Sequence, residues 1–175
     1  MSKHDPAQSD PGPAKAPSGA GRAEVRRATP ADAAAVHELT RAAYAKWVPV
    51  IGREPRPMVA DREARVRDHL VDLLRVDGAL AGLIETVPEE GVLLVENVAV
   101  LPAFQGRGLG RRLMAHAEAL AASLGLPRVR LYTNAQFAEN IKLYRGLGYG
   151  VDREEPFVNG TAVHMSKRIA PGPGV

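Results

Sequence analysis

Apolar positions recur along the chain with two periods. Between Thr29 and Trp47, the residues Val36, Leu39, Ala43 and Trp47 fall at helical spacing. Thr29 can cap that helix, Pro30 suits its first turn, and Asp32 favours the positive end of its dipole. Before it, Glu24 to Arg27 predicts a short strand; after it, residues 48–60, with Pro49, Gly52, Pro55 and Pro57, predict a loop. Asp61 to Asp68 predicts a short helix whose alternating charges make a solvated face. Val71 to Val76 and Leu80 to Val87 flank Asp77-Gly78 and predict a hairpin, with Pro88 to Gly91 as a second turn. Val92 to Val100 is apolar on both faces apart from Glu96 and Asn97, the mark of a central strand covered on both sides.

The second half is plainer. A long helix from Gly108 or Leu109 to Leu124 buries Leu109, Leu113, Ala117, Leu120 and Leu124, is capped by Gly125 and is ended by Pro127. Arg128 to Thr133 predicts a strand, and Phe137 to Leu147 a helix with Ile141, Tyr144 and Leu147 inward. Tyr149 to Phe157 and Thr161 to Arg168 predict a last hairpin around Asn159-Gly160. The order β-α-α-β-β-β-α-β-α-β-β describes an α/β (α+β) fold with a mixed, mostly antiparallel central sheet and flanking helices.

Composition changes the picture at the ends. Residues 1–22 hold no apolar side chain larger than Ala beyond Met1 and are rich in Pro, Gly and Ser. Such a segment cannot bury enough surface to offset its ordering entropy, so a disordered tail is expected, with one domain over 23–170 and a frayed end at 171–175. Net charge is +3, which suits a small anionic ligand; no dense Lys/Arg run with interleaved aromatics points to nucleic acid. The chain has no Cys, which removes disulfides, thiolate metal sites and a cysteine nucleophile together. The five His residues are scattered, with none at metal-ligand spacing, so no metal is assigned; His37 and His116 fall on polar helix faces and are expected at the surface. With no apolar run near the ~18 residues a bilayer requires and no signal-peptide pattern, no membrane partner is expected and a cytoplasmic location is.

The candidate chemistry starts at Gln105-Gly106-Arg107-Gly108-Leu109-Gly110-Arg111, between a strand and a helix. Glycines let the backbone approach a ligand and adopt positive φ, and a helix start adds unpaired N–H groups and a positive dipole end. The segment therefore predicts an anion cradle, reinforced by Arg107, Arg111 and Arg112. A P-loop would need Gly-Lys-Ser/Thr where Arg111-Arg112 stand, and a dinucleotide fingerprint counted from Gly106 would need glycine where Arg111 stands.

Val98-Ala99-Val100-Leu101-Pro102-x-x-Gln105-x-x-Gly108-x-Gly110 resembles the GNAT superfamily of acyl-CoA-dependent N-acyltransferases. Leu131-Tyr132-Thr133-Asn134 and Asn140-x-x-Leu143-Tyr144-x-x-x-Gly148-Tyr149 look like that superfamily's second segment. The resemblance implies that backbone groups of Val98, Ala99 and Val100 hold a pantetheine arm in a gap beside the strand. It implies that the amides from Gly106 to Arg111 take the pyrophosphate of acetyl-CoA, and that the Val98 N–H serves as oxyanion donor. Tyr144 matches the tyrosine that protonates the leaving thiolate. Glu96, sharing strand parity with Val98, is the candidate base for the acceptor amine. Where the superfamily often carries Asn for the cofactor, this chain has Phe137; Asn134 and Asn140 lie nearby, and Asn140 is the candidate replacement.

Residues 44–61 gather two of the eight aromatics, and in such folds the first helices wall the acceptor pocket. Tyr44, Trp47, Arg53 and Met58 are thus candidate contacts to a small-molecule or peptide amine. The resemblance implies an N-acetyltransferase transferring directly from acetyl-CoA. A non-catalytic acyl-CoA sensor would keep the loop and dispense with Glu96 and Tyr144. Related proteins are frequently dimers, which leaves a homodimer open.

Overall fold

A computed structural model describes residues 21–158 and 160–170. The expected tail lies outside the described residues up to position 20, as do Asn159 of the last turn and the expected frayed end at 171–175. Seven strands form one sheet: β1 (Ala23–Arg27), β2 (Leu70–Val76), β3 (Ala79–Glu89), β4 (Val92–Val100), β5 (Arg128–Asn134), β6 (Gly150–Phe157) and β7 (Gly160–Arg168). Their order in the sheet is β1-β2-β3-β4-β5-β7-β6, and only β4 and β5 pair parallel. The helices are α1 (Ala33–Tyr44), α2 (Val48–Ile51), α3 (Arg56–Val59), α4 (Arg62–Asp68), α5 (Leu109–Ser123) and α6 (Ala138–Gly146).

Helices cover both sheet faces, giving two cores. On one face Leu113, Met114 and Ala117 of α5 pack with Leu74, Ile84, Leu93, Leu131 and Met165. On the other, Val36 and Leu39 of α1 and Val66 of α4 pack with Val71, Leu73, Leu83 and Ala99. Burying each Leu, Ile, Val or Met among them contributes roughly 1.5–3 kcal/mol. The hairpin between β2 and β3 turns on Asp77 and Gly78, both at positive φ (50° and 81°), the conformation whose twist matches paired strands.

The structure corrects the sequence reading locally. Residues 48–60 are not plain loop: α2 and α3 are single turns set between the prolines, and α1 gives way to a 3-10 turn at Ala45–Trp47. A 3-10 turn, Pro30–Asp32, also precedes α1; there the Asp32 carboxylate accepts from the Thr29 N–H (2.8 Å) and hydroxyl (3.0 Å). β3 runs through Pro88 to Glu89 because Pro88 pairs with Leu93 without needing a donor. On α5, Leu124 is 48% exposed and Leu120 only partly buried; Met114 and Ala121 take the inner positions. His116 is not a free surface residue: its Nε2 lies 2.9 Å from Asp72, which Arg27 also grips at 2.7 Å. Arg65 leaves the solvated face of α4 and turns inward to Glu85, at 3.1 Å.

One irregularity positions everything that follows. Glu85 pairs with Asn97 and Thr86 with Val95, so Glu96 is an extra residue, a β-bulge in β4. Leu93 and Val95 before it and Val98 and Val100 after it pack toward the same core, although their parity differs. The pairing with β5 stops at the same place: β4 holds β5 only through Leu93, Leu94 and Val95. Beyond Val95, β5 continues along β7 while β4 turns away, leaving a gap between the two parallel strands.

Candidate active site

On the β4 side of this gap no strand pairs with the backbone beyond Val95. The Val98 carbonyl accepts from the Tyr44 hydroxyl (3.4 Å) and the Val100 carbonyl from the Gln105 side chain (3.0 Å), whereas the Ala99 carbonyl points at Gly82 of β3. In a strand, the N–H and C=O of one residue lie on the same edge. The Val98 and Val100 amides therefore face the gap, and Ala99 faces the sheet.

The gap opens into a cleft of about 560 Å³ lined by Val98 to Val100, the loop after β4, and α6. In the loop, a 3-10 turn at Pro102–Phe104 leads to Gly106 and Gly108, both left-handed (φ 76° and 74°), and Gly108 is the N-cap of α5. Side chains with a Cβ adopt that conformation at a cost of roughly 1–2 kcal/mol, so glycine is the natural occupant. Among the described residues, the four amides from Gly108 to Arg111 have no backbone acceptor; the first bonded amide of the helix is that of Arg112, to Gly108. Four free donors at a helix N-terminus fit the pyrophosphate of a CoA nucleotide. Leu109 is buried under the loop, Gly110 meets Leu143 of α6, and the Arg107 guanidinium lies 5.2 Å from the Phe104 ring.

A second cavity, about 110 Å³, lies across the gap and is lined by β4, β5, α2, α3 and the β6–β7 hairpin. Val98, Asn140 and Tyr144 line both cavities, as does Tyr44. The Tyr144 ring is buried (7% exposed) and meets Tyr149 edge-on at 6.2 Å, yet no protein group among the described residues bonds its hydroxyl. Burial pushes its phenol up to about 12, so it holds its proton throughout the neutral range. Glu96 points into the second cavity and accepts from the Tyr132 hydroxyl at 2.9 Å. Burial first, and then the Glu96 charge, push the Tyr132 phenol up to about 12 as well.

The other candidates fall in different places. Tyr44 donates to Asn97 Oδ1 at 3.0 Å, and Asn97 in turn donates to Thr40 at 3.3 Å; burial raises the Tyr44 phenol far above its usual value. Trp47 lines the larger cleft and not the second cavity, and it stacks on Phe137, ring centroids 4.4 Å apart. Arg53 lines the second cavity. Met58 is 3% exposed and lines neither cavity; it is a core residue. The sequence reading missed Tyr132, Asn97, Arg56 and Arg65 as parts of the site. Asn97 alone carried a signal, as a polar residue in an otherwise apolar central strand, which a buried amide tolerates only when bonded.

A mixed sheet is thus parted at one bulge, with free amides on one side of the gap and the Tyr132–Glu96 hydrogen bond on the other. The Acetyltransferase (GNAT) family model matches residues 34–149, and the chain belongs to that family. In sequence, the chain is 46% identical over 57 residues to N-alpha-acetyltransferase 80 of Mus musculus, a match spanning 33% of this chain and 17% of that relative. In structure, it is similar to the ribosomal-protein-S18-alanine N-acetyltransferase of Escherichia coli, with a TM-score of 0.70 and 21% identity over 88% of this chain and 99% of that one. It is also similar to the PaiA N-acetyltransferase of Thermoplasma acidophilum solved with coenzyme A, with a TM-score of 0.67 and 19% identity over 84% and 99% of the two chains.

Proposed function

We propose that this protein is an N-acetyltransferase that moves an acetyl group from acetyl-CoA directly to an amine. The observation that carries the reading is the meeting of two cavities at one point, where Val98 and Tyr144 line both. One cavity offers free amides for the cosubstrate; the other holds a carboxylate for the acceptor. Bound in the cleft, acetyl-CoA supplies a thioester carbonyl and a sulfur leaving group.

The chain's own groups then divide the work. The Val98 N–H donates to the oxygen that gains charge when the amine attacks, a fixed donor that needs no reorganisation. Glu96 takes the proton that the attacking nitrogen loses. Tyr144 donates to the departing sulfur. A thiol titrates near pH 8.5, well below this buried phenol, so the hydroxyl stabilises the sulfur by hydrogen bonding whether or not its proton crosses. Asn140, at the start of α6 and facing both cavities, is the polar contact available to the arm of the cosubstrate where Phe137 offers none.

The test is release of free CoA across a panel of amines with wild type and Tyr144→Phe. Acetyl-CoA-dependent release by wild type, lowered in the variant, supports the reading. Tight acetyl-CoA binding with no release from any amine favours a sensor instead.

A further inference from the structure

The acceptor cavity has an unusual charge. Three guanidiniums line it, from Arg53, Arg56 and Arg65, against the single carboxylate of Glu96. Arg65 is neutralised by the buried Glu85. Arg53 and Arg56 have no ion-pair partner among the described residues, and the carboxylate between them in sequence, Glu54, is taken by Arg41 at 2.6 Å. Arg53 is also held awkwardly for a group that serves only structure. Its Nη1 and Nη2 make long contacts, 3.3 and 3.5 Å, to the Glu54 and Val158 carbonyls, and its Nε is buried with no partner among the described residues. A buried charged donor left unpaired is costly unless a ligand completes it.

That surplus bears on the acceptor. An amine in water arrives as an ammonium ion, and two unpaired guanidiniums oppose its entry. An amine that carries its own carboxylate reverses the sign: the planar guanidinium fork matches a carboxylate, while the ammonium end turns to Glu96. Ile51, Leu131 and Phe157 line the same cavity and supply an apolar wall. The Arg53 guanidinium lies 5.2 Å from the Phe157 ring, so the α2–α3 connection and the β6–β7 hairpin meet beside the cavity.

The geometry points to a free amino acid with an apolar side chain as the acceptor, its carboxylate bound by Arg53 with Arg56 beside it and its amine facing Glu96. This rests on the acetyl-transfer reading above.

The test compares matched acceptors: an apolar amino acid, its carboxamide, and the amine left by its decarboxylation, with CoA release as readout. The expected kcat/KM favours the free acid over both partners by about 10–100-fold, the scale of a lost hydrogen bond to a charged group. Arg53→Gln shrinks that ratio toward one, chiefly through KM, and leaves the acetyl-CoA-induced rise in Tm in place; Arg56→Gln shrinks it less and covers the case in which the Arg53 variant fails to fold. Equal or better turnover of the decarboxylated amine or the carboxamide overturns this inference and spares acetyl transfer. No CoA release from any acceptor overturns both.

Discussion

The two cavities that meet at Tyr144 are built from different materials. The cleft proposed for the cosubstrate is built largely of backbone: free amides from Gly108 to Arg111, two left-handed glycines, and the strand edge at Val98 and Val100. The cavity proposed for the acceptor is made of side chains from segments far apart in sequence, from Tyr44 to Ala162. A backbone site depends on a short stretch keeping one conformation. A side-chain site depends on many elements keeping their places, and it can change its occupant by changing residues one at a time.

The sharpest way to break this contrast is at Gly108. A Cβ there meets no protein atom within 4 Å and projects into open space, but the residue must adopt φ 74°. Gly108→Val is expected to weaken acetyl-CoA binding on the order of 10³-fold, combining left-handed strain with the loss of charge-assisted hydrogen bonds. Calorimetry reads it; affinity within tenfold of wild type would show that the cleft does not rely on the loop backbone. Tyr144→Phe tests the point where the cavities meet. It should lower kcat by about 10²–10⁴-fold while acetyl-CoA affinity stays within a few-fold, since the ring remains and only the hydroxyl is removed.

Asn97→Ala probes the side-chain half. It strips the buried Tyr44 hydroxyl and Thr40 of their shared partner, which should cost about 1–3 kcal/mol in urea unfolding. The amine KM should rise, and the acetyl-CoA Kd should not. The smallest signal is spectroscopic. All four tyrosines have phenols raised by burial, Tyr132 and Tyr144 to about 12 and Tyr44 and Tyr149 above the usual range. A raised phenol contributes stability that is complete below the unfolded-state value of about 10 and is lost as pH climbs through the folded value. Absorbance of phenolate should therefore stay flat through pH 10 and rise only toward pH 12 with unfolding. A one-tyrosine step near pH 10 would mean that a chamber phenol is open to water.

The same contrast explains what could be read from the chain. The glycine loop, the central strand and α5 were legible because each is a local pattern: spacing, alternation and a helix face. The GNAT resemblance came from contiguous residues for the same reason. Trp47 shares the helical spacing of α1, but nothing in that spacing says it stacks on Phe137, ninety residues on. Met58 looked like a ligand contact because it sits among prolines and aromatics, yet the single turn of α3 carries it into the core. The bond between Glu96 and Tyr132 joins two strands whose separation depends on a bulge, and one extra residue in an apolar run leaves no mark in its periodicity.

That bulge makes β4 behave like a reading frame. Residues after Glu96 keep their facing only because one position is skipped by the ladder, so removing Glu96 would exchange the set facing the α5 core, Val98 and Val100, with the set facing the α1 core, Asn97 and Ala99. Substitution at position 96 leaves the frame intact, because its partner strand counts past it. The strand thus tolerates a change of side chain at that position far better than a change of length: a point replacement keeps the gap, and a one-residue deletion erases it.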